Sequence, residues 1–492
     1  MPALLRGASA GVIAAGLGIA VAELFAAATR PEAAPLVAVG GAIIDATPTP
    51  LKEFAVRELG TADKPVLLAS IGLVLALCAA ALGVLGQRRR SVVAAGAAVL
   101  GVAGAAAALS RPASSPFFAV PSLLAAAIAG TALWWLLGRG TPGAPATDRR
   151  SFLRATVLVA GAALLAEAGA QVVQRTIGRV RTDLRLPAPA SAAKPLPPGI
   201  APGFTTTAAS FYRVDTALTV PRVNPDTWSL RIHGMVRTEL ELSLEDLLKR
   251  PLIERDITLN CVSNEVGGPY VGTARWLGVP LAPLLREAGL DTRADQIVAR
   301  SVEGMTIGTP VATALDGRDT MLAVAMNGEP LLPEHGFPVR MLTPGLYGYA
   351  GACKWVTELE LTTFAAFDAY WVERGWAQQG TVRTASRIDR PRPFARPNPG
   401  LVTVAGVAWA QRRGISKVEI SVDGGDWRPA ELLPVPSTDT WVQWRYAWTA
   451  TSGPHSLAVR ATDGTGAVQT EDRATPFPAG ATGRHTITVT VA

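Results

Sequence analysis

Cysteine and histidine are scarce in this 492-residue chain, and where they fall excludes several chemistries. The three cysteines are Cys78, Cys261 and Cys353, and Cys78 lies inside an apolar run. A disulfide framework is excluded, and a single bridge between Cys261 and Cys353 is the most that the chain allows. The four histidines are His233, His335, His455 and His485, none of them within a long apolar run. Paired-histidine haem ligation inside a membrane is therefore excluded, and no haem is expected. No basic stretch is interleaved with aromatics, so a nucleic-acid partner is not expected. There is neither a dinucleotide fingerprint nor a phosphate-binding glycine loop of the usual kind.

What the chain does have is apolar length at one end. The mean hydropathy of +0.26 is high for a soluble protein, and most of the excess lies before residue 175. Leu4 to Thr29, Pro65 to Gly86, Ser91 to Ser110 and Phe117 to Leu137 are each long enough to cross a bilayer. Ala155 to Val173 makes a fifth span, carrying Glu167. Ala33 to Ile44 is too short to span and is expected to lie at or dip into the interface. The net charge of +7 is largely a matter of arginine clusters beside these runs. Arg88, Arg89 and Arg90 lie between spans two and three, and Arg139, Arg149, Arg150 and Arg154 between four and five. Basic loops mark the cytoplasmic side. Five spans place both clusters there and export everything after about residue 175. Asp148 to Arg154, Asp-Arg-Arg-Ser-Phe-Leu-Arg, also resembles a twin-arginine export signal, though internal; a plain basic cluster explains it equally.

Pro187 to Gly203 is rich in proline and alanine and reads as an extended spacer. Beyond it, Trp228, Leu230 and Ile232 alternate with polar residues as in a half-buried strand. Leu242 to Lys249 predicts a short helix, with Ser243 as N-cap and Asp246 completing an acidic capping box. Then comes Asp256-Ile-Thr-Leu-Asn-Cys-Val-Ser-Asn-Glu-Val-Gly-Gly268. Here Ile257 to Leu259 read as a buried strand, and Ser263, Asn264, Gly267 and Gly268 as the loop leaving it. A thiol at such an exit is open to several readings: a soft-metal ligand, a nucleophile, a disulfide partner, or a buried free cysteine. A helix over Val279 to Ala288 ending at Gly289, and strands at Gln296 to Val302, Val339 to Leu342 and Val356 to Thr362, complete an α+β pattern without regular βαβ alternation. Two turn-rich stretches, Met326 to Arg340 and Pro344 to Trp355, each end near a cation, Arg340 and Lys354. Glycine permits close approach of a ligand, and Arg or Lys suits an anionic group.

Phe211-Tyr-Arg213, Leu259-Asn-Cys-Val-Ser-Asn264, Thr273-Ala-Arg-Trp276, Met326-Asn-Gly328, His335-Gly-Phe-Pro-Val-Arg340 and Lys354-Trp355 together resemble the sulfite oxidase family of molybdopterin-dependent oxidoreductases. The resemblance implies that Cys261 is the protein thiolate on molybdenum, whose other sulfur ligands come from a pyranopterin dithiolene. It makes Phe211, Tyr212, Arg213, Arg275, His335, Arg340, Ala352, Cys353 and Lys354 contacts to that molybdopterin. Family members that oxidise sulfite follow the cysteine motif with Asn-Arg-Arg and carry a tyrosine before Met-Asn-Gly. This chain has Glu265 and Val266 after Asn264, and Val324 at the tyrosine position. These departures argue against sulfite and leave cofactor binding untouched. Arg374, Arg383 and Arg387 are candidates for an anionic substrate, or else a solvated basic surface.

After the proline-rich Asp389 to Gly400, short alternating runs at 401–408, 418–422, 442–448, 457–462 and 485–491 predict an antiparallel sandwich. The family resemblance makes it immunoglobulin-like and of a dimerisation type, leaving a homodimer open. The expected α+β architecture is thus a bundle of about five transmembrane helices (residues 1–175), a linker (176–203), a molybdopterin-binding domain (204–390) and a sandwich (391–492). The expected function is a multi-pass membrane protein whose extracytoplasmic domain transfers oxygen to or from a small-molecule substrate, with an electron-transfer partner that the sequence does not identify. A tethered, non-catalytic binding or assembly module is the alternative.

Overall fold

The computed structural model describes residues 3–59, 62–111, 114–138, 146–180, 184–214 and 216–492. They form two compact units, Met1–Val180 with Thr216–Arg222, and Arg181–Asp215 with Val223–Ala492.

The first unit is helical, with α1 (Ala3–Ala28), α2 (Pro35–Ala46), α3 (Thr49–Leu59), α4 (Asp63–Gly86), α5 (Ser91–Leu109), α6 (Ala119–Leu137) and α7 (Ala146–Val180). Five stretches, Leu4–Ala28, Asp63–Gly86, Ser91–Leu109, Pro116–Leu137 and Arg154–Val172, are long and apolar enough to cross a membrane. They match the five expected runs to within a few residues, and the short Ala33 to Ile44 run is the helix α2. Glycine sets the spacing of α1 and α4: a Cβ on Gly11 would lie 1.9 Å from the Ala79 carbonyl oxygen, and one on Gly83 2.0 Å from that of Gly7. Small residues commonly allow such approaches between helices in lipid. Arg139 and the side chains of Arg149 and Arg150, on which the twin-arginine reading turns, lie outside the described residues.

The second unit begins with two sheets. One has the order β2-β1-β10-β5-β6, from β1 (Ser229–Gly234), β2 (Leu240–Ser243), β5 (Gln296–Ser301), β6 (Thr306–Pro310) and β10 (Val356–Thr362). The other runs β3-β4-β7-β8, from β3 (Ile253–Asn260), β4 (Val271–Pro280), β7 (Met321–Met326) and β8 (Glu329–Pro330), with β9 (Arg340–Leu342) also on β7. Leu277 and Val279 of β4 and Leu322 and Val324 of β7 join Leu230, Ile232 and Leu359 of the first sheet in one core. The alternate residues Ala274, Trp276, Met321 and Ala323 face a second cluster with Phe211 and Leu259. A two-residue period with both faces covered explains why these strands read as nearly continuous apolar runs.

Two helices close the first core. The capping box is present at α8 (Leu244–Leu248): Asp246 N–H donates to Ser243 Oγ at 3.1 Å and Ser243 N–H to Asp246 Oδ2 at 3.0 Å. The other, α9 (Leu281–Ala288), stops at Gly289 in the left-handed region, as glycine at that position favours.

The remaining strands form two four-stranded antiparallel sheets. Their orders are β11-β12-β16-β15, from β11 (Ala385–Arg390), β12 (Gly400–Trp409), β15 (Glu431–Leu432) and β16 (Val442–Ala450), and β14-β13-β17-β18, from β13 (Ile415–Val422), β14 (Arg428–Pro429), β17 (Gly453–Asp463) and β18 (His485–Val491). Val404 and Trp444 of the first pack with Ile420, Val459 and Val489 of the second in one core, so the pair is a sandwich. The long alternating strands fall where they were expected. β11 was not foreseen, because Arg387 and Arg390 mask its alternation.

The proline-rich segment differs from a free spacer. Ala190 N–H donates to the Leu252 carbonyl at 2.8 Å, Glu254 N–H to the Ser191 carbonyl at 2.9 Å, and Ser191 pairs in parallel with Ile253. An extended chain carries unsatisfied backbone groups, and the open edge of β3 supplies their partners.

Candidate active site

Cys261 follows the last residue of β3 and is 8 % exposed. Its N–H donates to the Tyr270 carbonyl at 3.0 Å, and Asn264 N–H returns to the Cys261 carbonyl at 3.1 Å. Tyr270 N–H then donates to Asn264 Oδ1 at 2.8 Å. The loop is thus closed on itself around the thiol. Burial raises the pKa of that thiol, and hydrogen bonds from the backbone and hydroxyl of Ser263, with the charge of Lys354, act in the opposite sense. These groups favour a thiolate wherever the burial cost is met by a cation.

β3 is held from the far side by the sandwich. Trp441 N–H donates to Thr258 Oγ1 at 2.7 Å, Thr258 N–H to the Asp439 carbonyl at 2.9 Å, and Gln411 Nε2 to the Thr258 carbonyl at 3.0 Å. The strand that presents the cysteine is therefore fixed along both edges.

Across from it, a turn over Ala208–Ser210 sets the aromatic pair. Phe211 stacks on Tyr212 with ring centroids 5.1 Å apart, and meets Trp276 and His335 edge-on at 5.7 and 5.8 Å. Tyr212 is half-buried; desolvation raises the pKa of its phenol, and both Cys261 and Arg340 act on it electrostatically. His335 contacts the Ala208 carbonyl through Nε2 at 2.7 Å, and burial lowers its pKa, so the ring is neutral with its proton on Nε2. Arg213 is half-buried beside this pair.

Arg340 is the anomaly of the site. Its guanidinium is buried, 5.1 Å from the centre of the Trp276 ring, and Nη1 donates to the His335 carbonyl at 3.2 Å. Nε has no hydrogen-bond partner, and among the described residues no carboxylate pairs with it. Burial lowers its pKa to about 10. Lys354 lies over Trp355 at 4.7 Å and donates to the Glu334 carbonyl at 3.2 Å. Gly336, at φ +105°, holds the two cations together: a Cβ there would lie 3.0 Å from the Cβ of Lys354 and 3.1 Å from that of Arg340.

Cys353 is buried on the same segment. Its carbonyl accepts from Met341 N–H at 2.9 Å, and burial pushes its thiol up. Ala352 N–H caps the preceding turn on the Gly348 carbonyl at 2.9 Å. Cys261 and Cys353 are both free. Among the described residues no three His, Cys, Asp or Glu side chains converge as a metal site. A metal on Cys261 must therefore bring further ligands with a cofactor, and a buried guanidinium with an unpartnered Nε, linked to the cysteine through Tyr212, suits an anionic cofactor. The donor set fits an anionic, sulfur-bearing cofactor.

Other expected contacts are differently engaged. Arg275 stands opposite Asp256 in the β3–β4 ladder and bonds it at 3.0 and 2.8 Å, with Nη2 also on the Lys194 carbonyl at 3.0 Å. Arg374 donates to the Tyr370 carbonyl at 2.7 Å and lies over that ring. Arg383 reaches the Ala479 carbonyl at 3.3 Å. Arg387 bonds Asp389 at 2.6 Å and the Gly268 carbonyl, in the cysteine loop, at 2.8 Å. Val324 is wholly buried between the two sheets, whereas Glu265 and Val266 line a small cleft with Asn260, Asn264, Tyr347 and Trp409. Ser263 and Tyr347, both within charge or hydrogen-bond reach of Cys261, were not singled out in the sequence. Tyr347 sat in the quoted glycine-rich stretch, yet nothing in that stretch distinguished it from a packing aromatic.

Residues 217–371 match the family model of the oxidoreductase molybdopterin-binding domain. The mitochondrial sulfite oxidase of Mus musculus is 32% identical over 284 residues, covering 49% of this chain and 51% of that protein. This chain is similar to the sulfite oxidases over that domain. Nitrate reductase (NADH) 1 of Oryza sativa subsp. japonica is a further relative, 29% identical over 329 residues, covering 53% of this chain and 35% of that protein. The crystal structure of the sulfane dehydrogenase SoxCD from Paracoccus pantotrophus aligns with a TM-score of 0.49 at 25% identity, covering 55% of this chain and 75% of that one. The chain spans about half the length of the curated sulfite oxidases that it matches. Residues 217–371 therefore form a molybdopterin-binding domain of the oxidoreductase type, which implies a molybdenum cofactor. Cys261, His335, Arg340 and Lys354 lie inside the matched residues, and Phe211 to Arg213 just before them.

Proposed function

We propose that this protein is a membrane-anchored molybdenum–pterin oxidoreductase acting on a small extracytoplasmic substrate. The observation that carries the cofactor assignment is Arg340: a buried guanidinium without a carboxylate is costly unless an anion completes it. In this reading Arg340 and Lys354 hold the pterin's phosphate, Cys261 binds the metal, and Phe211, Tyr212, Arg213, His335, Ala352 and Cys353 line the pterin. Arg275 serves the pterin only through the backbone, since Asp256 occupies its side chain. When bound, the cofactor supplies two-electron oxygen-atom transfer.

The residues of the chain do the rest. The closed loop from Cys261 to Tyr270 keeps the sulfur at one position and excludes water from it. Ser263 and Lys354 offset part of the burial that disfavours negative charge on that sulfur. Neutral His335 fixes the Ala208 turn and so the aromatic pair. Glu265 beside the cysteine loop and Val324 in the core support a substrate other than sulfite, since neither offers the cation or phenol that sulfite-oxidising relatives use. For Arg374, Arg383 and Arg387 we propose a basic rim on the substrate side, supported by the bond from Arg387 to Gly268.

The five apolar helices and the arginine clusters after α4 and before the fifth span support the membrane anchor and the exported orientation. The immunoglobulin-like character of the sandwich, and a homodimer formed through it, belong to the same reading. It is tested by metal analysis of the purified full chain, wild type beside Cys261→Ser, from cells that make the pterin cofactor. Molybdenum near one per chain in the wild type, and a fall of at least about tenfold in the variant, are expected. Equal loading of a folded Cys261→Ser protein would remove Cys261 from the metal.

A further inference from the structure

A cavity of about 120 Å³ lies within the helical unit, lined from α1, α2, α4, α5 and α6. Gly11, Leu75, Leu100, Gly104 and Leu133 are typical of its wall, which is apolar apart from one hydroxyl. That hydroxyl belongs to Ser122, which is 3 % exposed. Its Oγ has no hydrogen-bond partner.

Thr156 Oγ1 on α7 is also without a partner but does not line this cavity, and several other hydroxyls of the bundle are satisfied locally. Ser9, Ser70, Ser110 and Thr131 each return their hydroxyl to a carbonyl of their own helix, at 3.2, 2.8, 2.8 and 2.8 Å. Such back-bonding is the ordinary fate of a helical serine or threonine in an apolar setting. Ser122 lies one turn into α6 and forgoes it. A Cβ on Gly104 would come within 2.9 Å of its Oγ, so only glycine at that position leaves the hydroxyl room. A buried donor left unsatisfied costs on the order of 1–3 kcal/mol. It is compatible with a stable bundle when a ligand completes it.

We infer that this cavity binds the headgroup of a lipid-soluble quinone, one carbonyl oxygen accepting from Ser122 Oγ. Three observations select that occupant over a bare acyl chain. The wall is apolar, and the volume of about 120 Å³ is comparable with the roughly 150 Å³ of an apolar cavity that accepts a benzene ring. The single donor suits a ligand with an acceptor at one end, which a hydrocarbon lacks. An oxidoreductase must also exchange electrons with some partner, and none of the four histidines lies on a candidate span to hold a haem there.

The inference rests on the bilayer placement proposed above, and the experiment separates the two. Full-length protein in lipid nanodiscs is titrated with decylubiquinone and with decylbenzene, which has a tail and ring but no carbonyl, by equilibrium dialysis. Saturable 1:1 binding of the quinone is expected, with decylbenzene at least about tenfold weaker. Ser122→Ala should weaken the quinone roughly three- to tenfold, the worth of one hydrogen bond, and leave decylbenzene unchanged. Thr131→Val, which removes a hydroxyl already satisfied by its own helix, should alter neither. Ala126→Leu, which fills the cavity, should abolish both. Equal affinity for the two ligands, or an unaltered quinone affinity in folded Ser122→Ala protein, would overturn the inference and leave the cavity a slot for lipid tails. Protein that alkaline carbonate extracts from membranes would overturn the bilayer placement, and the inference with it.

Discussion

Two arginines with very different surroundings, Arg340 against Trp276 and the His335 turn and Arg413 at the edge of the sandwich, separate site from scaffold. Arg413 donates to Asp463 Oδ2 at 2.8 Å, to the Val382 carbonyl at 3.1 Å and to Thr384 Oγ1 at 3.1 Å. The same carboxylate accepts from the hydroxyls of Thr384 at 3.0 Å and Thr465 at 2.6 Å. Every charge there has its counter-charge and its hydrogen bonds within the chain. Arg340 has one carbonyl, an aromatic face and, among the described residues, no paired carboxylate. A satisfied network does the same work with or without a ligand, whereas an unsatisfied one is complete only when something else arrives.

The sharpest way to break the comparison is Arg340→Met. Cofactor loading should fall more than tenfold, while the cofactor-free protein keeps its stability or gains about 1 kcal/mol, because an uncompensated buried charge has been removed. Molybdenum content and thermal unfolding of the cofactor-free form measure the two sides. If Arg340→Met unfolds the empty protein as readily as a scaffold mutation does, Arg340 is scaffold too.

Arg413→Met should do the reverse. It leaves Asp463, whose side chain is 3 % exposed, without its cation, and should cost roughly 2 kcal/mol with cofactor loading per folded chain retained. Denaturant unfolding followed by metal analysis separates the outcomes.

The smallest effect sharpens the scaffold half through pH. Burial alone would raise the Asp463 carboxyl, but hydrogen bonds from Thr465, Arg413 and Thr384 outweigh it and hold the group well below the usual carboxylate range. A depressed native pKa stabilises the fold above the unfolded value, near 4, and that stability is lost as pH falls through the acid range. Wild-type stability should decline below about pH 4, and Asp463→Asn should flatten part of that decline. An unchanged acid profile in Asp463→Asn would remove this carboxylate from the acid-labile set.

Much of this was legible in the sequence, for local reasons. The five apolar runs are long relative to a bilayer, so composition alone marks them. The capping box at Ser243 and Asp246, the stop at Gly289 and the strand over Val356–Thr362 depend on residues within one turn or one strand of each other. Cys261 stood out because an apolar β-branched run is followed at once by turn residues. The site was harder. Arg275 and Arg340 both carry a guanidinium within a quoted motif, and nothing in the sequence says which is already neutralised. The answer depends on strand register: pairing β3 with β4 sets Asp256 opposite Arg275, whereas Arg340 on β9 stands opposite Ala323.

By itself, then, the sequence determined the elements whose causes are local: the apolar spans, the capped helices, the alternating strands and the thiol at a strand's exit. Tertiary structure decided what depends on partners far along the chain. It docked residues 190–194 on the edge of β3, where an extended segment was expected to run free. It set Trp441 and Gln411 of the sandwich against Thr258, bracing the strand that carries Cys261. It also left Arg340 Nε and Ser122 Oγ without partners, whereas Arg413 and Thr131 are satisfied. The physical reason is the same in each case. Propensity and periodicity act over a few residues, whereas hydrogen-bond satisfaction and desolvation are settled only when distant segments meet.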